Sequence, residues 1–355
     1  MTRAELEARV RSGELLEGLD LAGADLRGAA LGGAIFEGVR FAGARLEGAR
    51  LDEAVLRACE LDAAILDGAS LHLATLDACS LAGASFSGAK LVGATLTACE
   101  AARSRWAKSD LSIVTFARCD LGGASFDGAL LDRAIFFEVR FDETDFARAD
   151  LRGATLYRAD LRTAKLAGCL AHRTVFVEAK IGAQGLAGQS FVECSFMEAD
   201  LSGVDLEGAD LRKAGMRLAK LEGAKLAGAK LANAVFVEAD LSKASLEGAS
   251  MPQALFVGAR LAGADLRGAE LYQAIFHDAL AEGARFADAD LRYADFSRAD
   301  LRRCDFSGAQ LTRARLHRVR DDARLVVYPV NLQTYRQTLL HGRHRRGDVA
   351  PQRQH

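Results

Sequence analysis

Residues 21–41 read LAGADLRGAALGGAIFEGVRF, and a large apolar residue returns at every fifth position: Leu21, Leu26, Leu31, Phe36 and Phe41. Helices repeat near 3.6 residues, strands at 2 and coiled coils at 3.5, so no regular element has this period. Followed outward, the register holds from Leu16 to Leu316, which makes 61 pentads. The centre is Leu or Phe in 54 of them, the others being Trp106, Ile181, Met216, Met251, Ala101, Ala171 and Ala281. Seventeen of the 18 Phe are centres, and Phe137 is the exception.

A second column lies two positions before each centre. From residue 24 to 314 it is Ala in 42 of 59 cases, and all seven cysteines fall in it. Of the 34 glycines, 27 share one phase, two positions past the centre. Each pentad is therefore small-inward, polar-outward, large-inward, then two residues of turn. The triplet is one cycle of strand alternation, and Gly supplies the turn at low steric cost. A chain that turns to the same side every five residues must coil. One repeat cannot bury its apolar side alone, so the fold is a stacked β-solenoid.

The pattern A-(D/N)-L-x-x, as in Ala24-Asp25-Leu26-Arg27-Gly28 and Ala149-Asp150-Leu151-Arg152-Gly153, resembles the pentapeptide-repeat family over about residues 16–320. The resemblance implies an all-β, right-handed quadrilateral β-helix with four pentads per coil. That makes about 15 coils and, at ~4.8 Å per coil, a rod of roughly 70 Å. The expected organisation is a helical N-terminal cap over 1–15, the β-helix over 16–320, a cap or dimerisation segment over 321–342, and a disordered basic tail over 343–355.

With four pentads per coil, residues twenty apart stack. One outward column runs Asp120, Arg140, Asp160, Lys180, Asp200, Lys220, Asp240, Arg260, alternating in charge along eight rungs. Exposed pairs of this kind contribute ~0–1 kcal/mol each, so the ladder tunes register and solubility. Another column, from Ile35 to Ile275, carries no charge in thirteen successive coils. Its neighbour two residues on adds Phe137, Tyr157, Val177, Met197, Val237 and Val257. Nine of the in-register Phe lie on the inner side of the same face. Two readings stand: β-branched residues simply suit a flat strand, or the strip is a surface for a partner or for self-association. Under the second, the interaction residues are Ile135, Phe137, Tyr157, Val175, Val177, Met197, Val235, Val237, Leu255, Val257 and Ile275.

Two stretches interrupt the pattern. Ser104, Ser109 and Val114 replace Ala around the centres Ala101 and Trp106, and Gln184 and Gln189 do so within IGAQGLAGQS (181–190). A buried Gln needs partners or the coil must open, so a bulge or bend is expected at one or both. Thr2 and Glu5 have capping-box spacing, followed by Leu6 and Val10, which predicts a short helix over the first coil. Past Leu316, LVVYPV (325–330) suggests an extended piece. Leu332, Tyr335 and Leu339 have helical spacing ending at Gly342, and so form a cap or a dimer contact.

Composition excludes more than it selects. Net charge is −2, but from His317 onward there are 8 Arg and 3 Asp, leaving about −7 for the rest by difference. A mildly acidic body with a basic tail is not a direct nucleic-acid binder. The charged N-terminus has no signal-type core and no stretch approaches a spanning helix, so neither export nor membrane is expected. Unpaired Cys spacing points to a reducing compartment and a cytoplasmic location. Cys59, Cys79, Cys99 and Cys119 form a line, which cannot wrap tetrahedrally round a metal. His341 and His344 are the nearest approach to a ligand pair. No phosphate loop or nucleophile elbow occurs, so no enzyme and no cofactor are expected.

The function that follows is a scaffold presenting a rigid rod to protein partners, with homodimerisation through the C-terminal segment or the apolar face. The opening SGELLEGLDLAGADL is similar in style to pentapeptide-repeat proteins associated with bacterial type VI secretion. The family resemblance implies an alternative. Some members mimic duplex DNA, bind DNA gyrase or topoisomerase IV, and protect it from toxins or quinolones, typically as dimers through a C-terminal helix. A body near −7 over ~70 Å is weak beside a duplex carrying one charge per ~1.7 Å.

Overall fold

The computed structural model describes residues 1–182 and 186–322. The chain divides into two compact units, Met1–Asp205 and Leu206–His355, and each is a stretch of parallel β-solenoid. The segment holding Leu332, Tyr335 and Leu339, the basic tail with His341 and His344, and Gln184 lie outside the described residues.

In the first unit, three-residue strands recur every twenty residues: β1 (Leu15–Glu17), β2 (Ile35–Glu37), β3 (Val55–Arg57), β4 (Thr75–Asp77), β5 (Thr95–Thr97), β6 (Thr115–Ala117), β7 (Ile135–Phe137) and β8 (Thr155–Tyr157). They form one parallel sheet in chain order, with Leu15 opposite Ile35 and Leu16 opposite Phe36. The other outward positions of each turn pair with the same step, as in Asp20 with Arg40, Asp25 with Arg45 and Ala30 with Arg50. Four outward positions in twenty residues make a four-sided coil. The regular strand ladder counts eight turns, against the fifteen expected from dividing the pentads by four. Past Tyr157 the step is carried by β9 (Asp160–Leu161) with β10 (Lys180–Ile181) and by single-residue bridges such as Thr155 to Val175 and Val175 to Ser195. In the second unit it is carried by bridges alone, for example Lys220 to Asp240 and Lys225 to Ser245.

The hydrogen bonds explain the pentad. A centre donates its N–H to the next coil (Leu21 to the Arg40 carbonyl, 2.8 Å), and the small residue closes the turn onto the centre before it (Ala24 to Leu21, 3.1 Å). The residue two past the centre takes positive φ. All 27 glycines of that phase do so, and so do 33 other residues, with φ from 48° to 65°. The turn geometry is therefore imposed by stacking even where a side chain disfavours it, at ~1 kcal/mol per residue. Inside, the large centres stack: Phe236, Phe256, Phe276 and Phe296 follow one another at 4.9, 4.7 and 4.5 Å.

The expected bulge at Ala101–Val114 does not form. Arg105 pairs regularly with Ser85 and Ser125, and Arg103, Lys108 and Ile113 keep the turn conformation. Trp106 stacks flat on Phe86 at 4.1 Å, its indole N–H donates to Ser104 Oγ at 2.7 Å, and Ser104 donates to the Ala101 carbonyl at 2.6 Å. Ala101 and the two serines are thus the accommodation of one oversized centre. The second interruption does depart from the pattern. Gly182 lies so close to Arg162 that a Cβ would sit 2.4 Å from the Arg162 carbonyl oxygen. Gln189 finds its partner in the Gly168 N–H, 2.9 Å from Oε1.

Helix α1 (Arg3–Arg11) carries the expected capping box and buries Leu6. It also completes the open edge of the first coil. Arg3 donates to the Arg27 and Gly28 carbonyls at 2.7 and 2.9 Å, and Glu7 accepts the Ala30 N–H at 2.9 Å. In later coils the carbonyl equivalent to Arg27 and the N–H equivalent to Ala30 pair with the coil before, as in Gly23 to Ala42 and Arg40 to Leu19.

Ser104→Ala should leave the buried Trp106 N–H without an acceptor and cost ~1–3 kcal/mol. A lowered urea midpoint checks this, and an unchanged one would show that the indole is satisfied by another group.

Candidate protein-interaction face

The uncharged column of the sequence is the outward face of the β1–β8 sheet: Leu15, Ile35, Val55, Thr75, Thr95, Thr115, Ile135 and Thr155. The second outward position is charged from β1 to β4 and uncharged from β5 to β8, as Thr97, Ala117, Phe137 and Tyr157. In this unit the structure gathers Ile135, Phe137, Tyr157 and Val175 on one side, with Val177 and Met197 two residues on from Val175 and Ser195. The second unit aligns Val235, Leu255 and Ile275 on a side of its own, with Val237 and Val257 beside them. Ile135 and Phe137 are exposed, and the other nine residues are half-buried.

Aromatic rings stack on both sides of this face. Phe116 and Phe136 stack at 5.3 Å behind β6 and β7. On the outside Phe137 and Tyr157 stack at 5.7 Å, 7° from parallel, and the Arg158 guanidinium lies 4.9 Å from the Tyr157 ring. Two apolar residues escaped the sequence reading. Leu73 and Ile113 stand at turn positions usually given to Gly, and both lean over Gly93 between them. They are 51% and 46% exposed, beside Ile135 and Phe137 at 45% and 40%. The signal was present as an apolar residue in a turn phase, twice, forty residues apart.

The charged columns behave differently. Arg40 bridges Asp20 and Glu60 at 2.8 and 3.2 Å, Arg140 pairs with Asp120, and Arg260 pairs with Asp240 at 3.3 Å. Sequence alternation along the rungs missed a second arrangement, in which Asp pairs with the Arg two residues on, as in Asp150–Arg152, Asp210–Arg212 and Asp300–Arg302. The same carboxylates accept the backbone N–H of that second residue, fixing the turn. Arg152 and Arg302 hold Asp150 and Asp300 below the usual carboxylate range although burial pushes them up. Burial also pushes Asp295 up, but hydrogen bonds led by Ser297 outweigh it and bring it to about 2.

The seven cysteines are buried and unpaired. Those of the first line donate to carbonyls of the preceding coil, as Cys79 to Leu56 at 3.4 Å and Cys99 to Leu76 at 3.5 Å. Burial pushes the Cys169, Cys194 and Cys304 thiols up to about 11, 12 and 12. Among the described residues no three His, Cys, Asp or Glu gather to hold a metal, and no helix is long and apolar enough to cross a membrane.

A family model described as pentapeptide repeats matches in eight copies, over residues 20–57, 56–97, 136–168, 186–217, 219–256, 239–278 and 282–318. Among solved structures, the chain is similar to HetL, a protein involved in heterocyst differentiation regulation from the cyanobacterium Nostoc sp. strain PCC 7120. Identity is 25%, covering 89% of this chain and 95% of that one, with a TM-score of 0.26. Rfr23 from the cyanobacterium Cyanothece 51142 is 30% identical over 29% of this chain and 63% of its own, with a TM-score of 0.20. Full-length QnrB1, a plasmid-mediated fluoroquinolone resistance protein, is 15% identical over 81% and 96%, with a TM-score of 0.25. No curated protein matches in sequence. The repeat model carries the family assignment.

The depressed carboxylates set a pH dependence. Their folded values lie below the unfolded ones, so the folded state binds fewer protons. Their contribution is complete above about pH 4 and lost as the pH falls toward about 2. The melting temperature should therefore fall between about pH 4 and pH 2 and stay flat from about pH 5 to 7. A flat profile through the acid range would show that these pairs do not stabilise the fold.

Proposed function

The chain belongs to the pentapeptide-repeat family, and on that premise we propose that it is a non-catalytic scaffold whose sheet face in the first unit docks another protein. The carrying observation is the exposure of Ile135 and Phe137 on the β-sheet, with Tyr157 paired to Phe137 and Leu73 and Ile113 converging over Gly93. Contiguous apolar surface of this kind marks an interaction site, whereas scattered apolar residues do not. The remaining outward positions are dominated by charges that close on one another.

That closure speaks against duplex mimicry. A mimic must present unpaired negative charge along a face, and here Asp20, Glu60, Asp120, Asp150 and Asp210 are each held by an Arg. Gyrase supercoiling is accordingly expected to be unaffected by added protein. The opening segment SGELLEGLDL supplies β1 and the first coil, so it offers no separate element to select a secretion partner.

Replacing Phe137 with photoreactive benzoylphenylalanine should give a discrete cross-linked protein adduct in cells. The same replacement at Glu222, on a charged side of the second unit, should give none. Equal yields from both positions would remove the face as a docking site.

A further inference from the structure

The borders of the uncharged face carry charges in an order that is largely its own complement. On one border, from β3 onward, stand Arg57, Asp77, Arg118, Glu138 and Arg158 with Glu178, the last two already paired at 2.8 Å; on the other stand Glu53, Arg133 and Arg173, which pairs with Glu193 at 2.7 Å. We infer that the occupant of this face is a second copy of the chain, packed sheet to sheet about a two-fold axis running along β6. The inference rests on the reading of the face as a docking surface and names its partner.

Such an axis reverses the order of the turns and preserves position along each strand. β6 then faces itself through the small side chains Thr115 and Ala117, with Ile113 against Ile113. β7 lies over β5, so Ile135 and Phe137 cover Thr95 and Thr97. β8 lies over β4, which brings Asp77 beside Tyr157 and Arg158. β3 meets the turn of Val175, which sets Arg57 diagonal to Glu178 and Glu53 opposite Arg173. Arg133 and Glu138 face Gly93 and Ala98. Two like contacts remain: Arg118 with its copy, where each copy places Glu138 one rung away, and Glu37 beside Glu198 at the outermost turn.

Neighbouring registers are worse. Moving the pairing by one turn in one direction sets Arg57 beside Arg158 and Glu37 beside Glu178. In the other direction it sets Asp77 beside Glu178 and Glu53 opposite Glu193. Like charges so placed select against those registers.

The size also fits a reversible dimer. Seven turns at ~4.8 Å and six residues of width cover about 600 Å² per copy. That is about 1,200 Å² in all, at the lower end for a specific interface. A small, uncharged centre inside a charged rim is the usual anatomy of such a contact.

Sedimentation of the full chain over a concentration series tests the inference. The wild type should show a reversible monomer–dimer equilibrium. Ala117→Arg should abolish it without changing the melting temperature, because β3 already carries Arg57 at the equivalent outward position. Arg57→Glu should weaken dimerisation at least tenfold, and adding Glu178→Arg should restore it. The native thiols are buried, so Ala117→Cys with a bismaleimide spanning about 10 Å, the spacing of facing sheets, should give a covalent dimer. A wild type monomeric at every concentration, or a dimer indifferent to Ala117→Arg, overturns the inference. If the chain is monomeric while benzoylphenylalanine at 137 captures a different protein, this inference fails and the docking reading survives. If the monomer gives no adduct either, both fail.

Discussion

At each outward position before a centre, the backbone N–H and carbonyl both pair with the preceding coil, on either side of the residue stacked there. Arg45 donates to the Ala24 carbonyl at 2.9 Å, and the Ile65 N–H in turn meets Ala44 at 2.9 Å, while Leu46 donates to the Ile65 carbonyl at 2.7 Å. This continuous pairing at a step of twenty residues satisfies the main chain without long strands or helices. It requires the corner of every pentad to lie in the same place as the corners before and after it. The positive φ two residues past each centre follows from that demand, and glycine is favoured there for ease rather than by necessity.

The interior is governed by the same spacing. Backbones on four sides leave room for one large side chain and one small one per pentad, so exceptions have to be balanced locally. Trp106 is balanced by Ala101 and by the hydroxyl of Ser104. Thr144 and Thr174 sit in the small column because each hydroxyl reaches a carbonyl of the preceding coil at 2.8 Å. The buried thiols occupy the same niche and make the longer version of the same contact. The column tolerates small polar atoms where a carbonyl of the preceding coil, or of the centre just before, can accept them.

On the outside, the geometry separates surface that is closed on itself from surface that is open. Asp before a centre caps the turn and, as at Asp150 and Asp300, holds the Arg two residues on, closing that charge within a single pentad. From β5 to β8 the sheet face in the first unit has no such charges, because its outward side chains there are Thr, Ala, Ile and the stacked Phe137 and Tyr157.

The five-residue period, the small column and the uncharged strip were legible in the chain, because each is a local pattern repeated until chance is excluded. So were the capping box of α1 and the buried role of the cysteines. Which side chains meet across a twenty-residue step was not legible, since it depends on reach and direction. Leu73 and Ile113 read as turn residues until their convergence over Gly93 made them part of the face. The serines beside Trp106 read as a defect until the indole was seen to need them. Nothing in the sequence marked Arg3 and Glu7 as the residues that complete the hydrogen bonds of the first coil. Periodicity determined the coil; contacts between coils decided its exceptions, its closed end and its exposed face, because those are set by neighbours twenty residues or more away in sequence.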